Sequence, residues 1–282
     1  MVFKVSHPNI ELELQLCEID KLHIHEEIIT ESVEKLIKAF KKDRYAKHPI
    51  LVDKETLVVL DGMHRTWAFK HLGYKLIPVC LMDYNNPNIM VKSWFRTIIA
   101  EQKTSRDLHS TLQELGYLLH ETTEDELQRK IDNKQWTIGI VTAETCYGIV
   151  GKTKNTKETY EYIKHLETNL ESVRYMIGYE TREDAIRKAK EGTVLAAVTA
   201  PQITKQDVVD VALAGEVFVH KATRHVIPAR PLFMNVPFTW MNLESKEANK
   251  RLVEHLTKKK LKRLPPGQTL DRRYEEELYI FE

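Results

Sequence analysis

The sequence predicts an α+β fold built as two lobes, and three observations carry that prediction. Its 282 residues are about twice the ~150 residues of an ordinary domain, long enough for two separate cores. Strand-like and helix-like periods follow one another in mixed order, without the strict strand–helix repeat of a doubly wound parallel sheet. The texture also changes near residue 106, where a run of capped helices begins to alternate with strands. These readings divide the chain into a first lobe over 1–105, a second α/β lobe over 106–240, and a C-terminal helix and strand over 241–282.

Along the chain, Leu12, Leu14 and Leu16 alternate as a strand with one buried face does. Val33, Leu36, Ile37 and Phe40 recur at i, i+3, i+4 and i+7, placing one stripe of a helix on the core. Residues 49–52 and 57–60 read as two strands joined by the polar turn at 53–56. Trp67, Ala68 and Leu72 lie on a short helix that Gly73 closes, since glycine takes the left-handed conformation at no steric cost. A strand follows at 76–81. Helices are predicted around 108–115, opening at Thr123 with Glu126 as a capping box, and over 156–170, 181–190 and 204–215. Strands are predicted at 137–141, 146–150, 173–177, 194–199 and 216–220. The tail is predicted as a helix over 244–263 with a lysine-rich end, then an edge strand over 274–281.

Lys and Arg number 42 against 41 Asp and Glu, a balance that excludes a strongly basic nucleic-acid coat and an acidic disordered tail. An anion-binding surface must therefore be local. Cys17, Cys80 and Cys146 are too few and too separated for a disulfide framework or a paired-cysteine zinc site, which suits a reduced, cytoplasmic setting. The longest apolar stretch, at 194–200, is far short of the ~18 residues of a membrane span.

Four motifs bear on chemistry. Cys146-Tyr147-Gly148-Ile149-Val150-Gly151-Lys152-Thr153 imitates a phosphate loop but has cysteine where the first glycine must be, so it reads as a plain strand-to-helix turn. His23-Ile24-His25-Glu26-Glu27 lacks the spacing of a zinc helix, and Glu26 is either an exposed glutamate or a carboxylate held for acid–base work. Leu60-Asp61-Gly62-Met63-His64-Arg65 takes an apolar strand through Asp-Gly into a helix with two basic side chains in its first turn. Cations there oppose the helix dipole, and a bound anion offsets that cost. Asp61 beside such an anion suits Mg²⁺, although an ordinary Asp-Gly turn explains the same residues. Lys221-Ala222-Thr223-Arg224-His225 packs lysine, hydroxyl, arginine and histidine into five residues, a dense donor set for phosphate or simply a polar surface run.

The Asp61-Gly62-Met63-His64-Arg65 motif after two apolar strands resembles the core motif of the ParB/sulfiredoxin-like superfamily. Residues 20–26 (Asp-Lys-Leu-His-Ile-His-Glu), Ser93-Trp94, and residues 221–228 (Lys-Ala-Thr-Arg-His-Val-Ile-Pro) narrow the resemblance to the free L-serine kinases, both the archaeal ADP-dependent type and the ATP-dependent staphylococcal siderophore type. Val236-Pro237 and the ending at 274–281 are similar to the staphylococcal type.

This resemblance implies phosphorylation of free L-serine to O-phospho-L-serine, for cysteine or siderophore precursors, in a cleft between a ParB/sulfiredoxin-like nucleotide-binding lobe and the second lobe. It implies Glu26 as catalytic base, Asp61, Gly62, His64 and Arg65 around the nucleotide phosphates and Mg²⁺, and His25 and Trp94 at the substrate. It assigns Lys221, Thr223, Arg224 and His225 to phosphate. Met63 and Ala222 depart from the archaeal pattern, which inclines the donor to ATP over ADP. The rival class is a ParB-like nucleotide- or DNA-binding regulator, opposed by the neutral charge and by strands where a helical DNA-binding bundle would stand. Sulfiredoxin chemistry is opposed too, because it needs a cysteine in the core motif and none lies between Leu60 and Arg65.

Overall fold

A computed structural model describes residues 2–100 and 107–282. The chain divides into two compact units: Met1–Val91 with Val208–His220 and His225–Glu282, and Lys92–Asp207 with Lys221–Arg224. The boundary expected after residue 105 lies outside the described residues. The one expected after residue 240 does not divide the chain, because the C-terminal segment packs into the first unit.

The first unit is built on a five-stranded sheet in the order Phe3–His7, Ile10–Glu18, Leu76–Met82, Ile50–Asp53, Val59–Asp61. Only Ile50–Asp53 runs parallel to its neighbour Leu76–Met82; the remaining pairs are antiparallel. All seven residues of Leu76–Met82 are buried, as befits a strand covered on both faces. Helices Thr30–Lys42 and Met63–His71 pack against each other, and the expected apolar stripe of the former turns inward at Val33. The turn at 53–56 is closed by Asp53, whose Oδ2 accepts from the Thr56 N–H at 2.9 Å.

Helix Ser245–Thr257 lies on strand Ile10–Glu18. The ladder to the first strand ends at Phe3 opposite Leu14, and two residues on, the Asn249 side chain stands in for a missing strand. Its Oδ1 accepts from Leu16 N–H at 2.8 Å and its Nδ2 donates to Leu16 O at 3.0 Å. A side-chain amide carries the same donor and acceptor as a peptide, so both main-chain groups stay satisfied.

Two expectations for the tail are corrected. The helix ends at Thr257, and Leu261–Leu264 is a strand. The terminal strand Glu277–Phe281 is central, not an edge: it runs parallel to Ala229–Leu232 on one side and antiparallel to Leu261–Leu264 on the other. Pairing with residues 278–281 overrides the helical propensity of the lysine-rich run, a long-range effect that local sequence does not carry. Likewise, 216–220 forms no strand, only a bridge at Phe218.

The second unit is a six-stranded antiparallel sheet, ordered Tyr175–Glu180, Phe95–Ala100, Ala196–Thr199, Ile138–Val141, Cys146–Ile149, Leu119–Thr122. Four of its helices start at side-chain caps: Asp107 accepts from Ser110 N–H, Thr123 from Glu126 N–H, Asn155 from Glu158 N–H, and Thr181 from Asp184 N–H. Strand Phe95–Ala100 is absent from the expected elements because Arg96 and Thr97 interrupt its apolar pattern, yet both are 1% exposed. Leu127, Ile131 and Trp136 form one wall of the core with Ala185, Ala189 and Ala197. Gly148 is required there, since a Cβ at that position would come within 2.1 Å of the Trp136 ring.

Asn249→Leu keeps the branched heavy-atom shape but leaves the buried Leu16 N–H and C=O without the amide partner. Urea unfolding is expected to register a loss of about 2–3 kcal/mol; an unchanged midpoint would show that Asn249 is not a structural clasp.

Candidate active site

In the first unit, residues 23–27 form a ribbon pinned on both edges. On one side His23 N–H donates to Leu57 O at 3.1 Å and Val59 N–H to His23 O at 2.8 Å. On the other, Phe218 N–H donates to His25 O and Glu27 N–H to Phe218 O, each at 2.8 Å. Glu26, in the middle, is 7% exposed. Few glutamates are held so far from solvent on so constrained a backbone, and such a carboxylate keeps its position through a reaction.

His25 is fully buried, and its Nδ1 donates to Val59 O at 2.8 Å. Burial pulls its pKa down to about 4, with the carbonyl contact working the other way, so the ring is neutral near pH 7. This contact ties the ribbon to the strand that leads into the Asp-Gly turn.

At that turn Gly62 has φ +106°, and a Cβ there would meet Ile50 Cγ2 at 2.5 Å. Both facts require glycine. Helix Met63–His71 follows, and Gly62 at its N-cap has no side chain to cap it; a helix N-terminus of this kind favours anions. Met63 contributes its backbone at the first helical position. His64 Nε2 accepts from Ile29 N–H at 2.9 Å, which places the neutral ring's proton on Nδ1.

Arg65 departs from the expected phosphate role. Its Nη1 donates to Pro49 O at 2.8 Å, and its Nη2 approaches Asp61 Oδ2 at 3.4 Å. The same Oδ2 accepts from Arg230, whose Nε is 2.6 Å from Glu276 Oε1. Burial would raise the pKa of Asp61, but the guanidinium charges of Arg230 and Arg65 outweigh it and hold the carboxyl well below the usual carboxylate range. Asp61 and Arg65 border a cavity of about 350 Å³ that is also lined by Phe40, His48, Arg230 and Tyr274.

Arg230 and Arg65 share one oxygen of Asp61, Oδ2, so a dication at this carboxylate would meet two guanidinium charges. Among the described residues, no three His, Cys, Asp or Glu side chains converge on a metal position. Asp61 braces the turn.

His225 also belongs to this unit. Its ring lies 5.3 Å from that of His25, and its Nε2 is 2.8 Å from Tyr84 Oη. Burial pushes the Tyr84 phenol up, so the hydroxyl stays protonated in its contact with His225. Tyr84 is fixed in turn by its N–H, which donates to Asp53 Oδ1 at 3.0 Å. Sequence reasoning overlooked both Tyr84 and Arg230. Tyr84 carries no motif, and Arg230 sits in a short Ala-Arg-Pro-Leu strand whose burial only the fold reveals.

The second unit gathers Trp94, Lys221, Thr223 and Arg224. Lys221 Nζ stands 5.0 Å from the centre of the Trp94 ring and the Arg224 guanidinium carbon 5.6 Å from it. Thr223 is 7% exposed. Lys221 has φ +59°, an uncommon conformation for a residue with a side chain. The Gly151 turn is unsuited to phosphate, because its N–H donates to Thr137 Oγ1 at 2.7 Å and the following helix is capped by Asn155.

No family model matches the chain. An ATP-dependent L-serine kinase from Staphylothermus marinus is 28% identical over 240 residues, spanning 83% of this chain and 93% of that protein. The ADP-dependent L-serine kinase SerK from Thermococcus kodakarensis is 25% identical over 233 residues, 81% of this chain and 93% of its own. A solved free serine kinase in complex with AMP matches with a TM-score of 0.65 at 22% identity, over 81% of this chain and 93% of its own. The chain has the fold of the free serine kinases. Its α+β architecture is thereby accounted for. No helix among the described residues is long and apolar enough to cross a membrane.

Two outcomes follow from the serine-kinase scaffold. Gly62→Ala forces a left-handed alanine against Ile50, and its unfolding free energy is expected to fall by at least about 1 kcal/mol; unchanged stability would contradict the tight approach. His25 binds its proton less readily in the fold (about 4) than in the unfolded chain (6.5). Its contribution is therefore complete above pH 6.5 and lost as pH falls toward 4. Stepped-pH denaturation of His25→Gln should show a slope in that window shallower than wild type by up to about 1.4 kcal/mol per pH unit; identical slopes would mean that His25 is not buried neutral.

Proposed function

We propose that this protein phosphorylates free L-serine to O-phospho-L-serine, using ATP, or alternatively ADP, as donor. The observation that carries the proposal is Glu26, a buried carboxylate on a ribbon pinned at both edges. It stands in a fold shared with free serine kinases, in a chain resembling L-serine kinases over four fifths of its length.

In this reading Glu26 accepts the proton of the serine hydroxyl as its oxygen bonds to the terminal phosphorus. The bond from that phosphorus to the nucleotide oxygen breaks, and the shortened nucleotide leaves with the electron pair. A positioned base contributes typically ~10² to 10⁴ in rate. The rest of phosphoryl transfer is alignment and charge neutralisation. Amides of Gly62, Met63 and His64 at the start of helix Met63–His71 cradle the nucleotide phosphates, with His64 Nδ1–H as a further donor. Lys221, Thr223 and Arg224 supply cations and a hydroxyl to phosphate, Trp94 borders the substrate, and His225, oriented by Tyr84, donates to the transferred group. Asp61 and Arg65 keep the cradle in shape. Mg²⁺, a hard ion that takes phosphate and carboxylate oxygens, would supply further charge neutralisation at the nucleotide phosphates.

The product is an activated serine, whose phosphate is a leaving group for replacement reactions toward cysteine or a siderophore precursor. ATP is preferred as donor because Met63 replaces a histidine of the archaeal ADP-dependent pattern.

The test is incubation with free serine, Mg²⁺ and either ATP or ADP, followed by separation of products. Phosphoserine with ADP is expected from ATP, and EDTA should abolish it. Absence of phosphoserine with both nucleotides would overturn the reading.

A further inference from the structure

Arg96 is the largest fully buried side chain of the described residues, 1% exposed, and nothing in the phosphoryl-transfer reaction uses it. It lies on strand Phe95–Ala100 in the second unit, two residues after Trp94. Its Nε is paired with Glu167 on helix Thr156–Ser172. Its guanidinium carbon is 5.7 Å from the centre of the Tyr160 ring and 5.4 Å from that of Tyr179. Tyr160 Oη donates to Ser93 Oγ at 2.6 Å and Tyr179 Oη to Glu167 Oε2 at 3.3 Å. The counter-ion and the rings on either side fix the guanidinium plane.

What that plane points at is unusual. Nη1 donates to two main-chain carbonyls, Trp94 O and Lys221 O, each at 3.0 Å. These residues are far apart in sequence, and both belong to the set assigned to substrate and phosphate. Lys221 is held at φ +59°, a conformation that costs on the order of 1 kcal/mol or more and persists only where its surroundings over-determine it. A carbonyl clasped by a buried guanidinium is such a determinant. With its main chain fixed there, Lys221 carries its ammonium over the Trp94 ring at 5.0 Å, and Arg224, three residues on, lies over the same ring.

We propose that Arg96 is a positioning residue for phosphoryl transfer: it fixes the backbones of Trp94 and Lys221 to each other, so that the cations of the 221–224 segment are presented in one geometry. The inference rests on the serine-kinase reading. Lysine cannot replace the arginine, because an ammonium has no planar fork to hold two carbonyls and a carboxylate together.

The test is a double-mutant cycle on kcat with Arg96→Lys, Lys221→Ala and the combined variant, each checked for wild-type circular dichroism and a cooperative melt. Arg96→Lys is expected to lower kcat roughly tenfold or more, as small misplacements in a reacting site do. Lys221→Ala is expected to lower it too, and the combined variant to be hardly worse than Lys221→Ala alone, since Arg96 acts through Lys221. Losses that multiply in the combined variant would overturn the proposal, because a merely structural arginine gives independent effects. So would an Arg96→Lys enzyme within twofold of wild type. If Arg96→Lys does not fold, Arg96→Gln with Glu167→Gln removes the charge pair together and enters the same cycle: non-multiplying losses support the proposal and multiplying losses overturn it. Wild-type enzyme that forms no phosphoserine refutes the kinase reading itself. An active wild type with an unaffected Lys221→Ala variant refutes only the role of Arg96.

Discussion

In the first unit one carboxylate oxygen, Asp61 Oδ2, accepts from both Arg65 and Arg230, and Arg230 is paired again with Glu276. This chain of alternating charges joins the end of strand Val59–Asp61, the first turn of helix Met63–His71, strand Ala229–Leu232 and the approach to the terminal strand. Arg230, the most buried cation of this chain of charges, has a carboxylate on each side, and losing either would leave its charge less compensated. The Asp-Gly turn owes its position to this network, and the helix start that follows it owes its position to the turn. It also explains why residues 225–282 belong to the first unit: the partners of the central motif come from the far end of the chain.

A second constraint acts on the ribbon at 23–27. Its edges are satisfied by main-chain bonds to Leu57, Val59 and Phe218, and His25 fastens it from below. Glu26 is thus placed by four backbone bonds and a buried ring, with little left to side-chain choice. The two constraints share strand Val59–Asp61, which receives His25 at its first residue and supplies Asp61 at its last. Glu26 and the Asp61-Gly62 turn are therefore both set from one short strand.

Much of this was legible in the sequence, for identifiable reasons. Helix Thr30–Lys42, the pair Ile50–Asp53 and Val59–Asp61, and the helices capped by Thr123 and Thr181 all announce themselves through local periodicity or capping chemistry. Gly62 was legible because only glycine suits a turn of that kind. What escaped was whatever depends on distant partners. Strand Phe95–Ala100 was hidden because its buried Arg96 looks like surface. Leu261–Leu264 was hidden because its strand pairing comes from residues 278–281. The direction of Arg65 could not be read from its place in the first helical turn, since the carbonyls of His48 and Pro49 and the carboxylate of Asp61 decide it. The same limit applied to Asp61, where the type of residue suggested a metal and the neighbours, invisible in sequence, were cations.

The central claim is that a backbone-pinned Glu26 removes the proton from serine. Its most direct measurement pairs turnover with nucleotide binding for Glu26→Gln, which keeps the size and loses the base. The account predicts a nucleotide dissociation constant close to wild type and phosphoserine formation reduced by at least about a hundredfold. Turnover at the wild-type rate with this variant would contradict it.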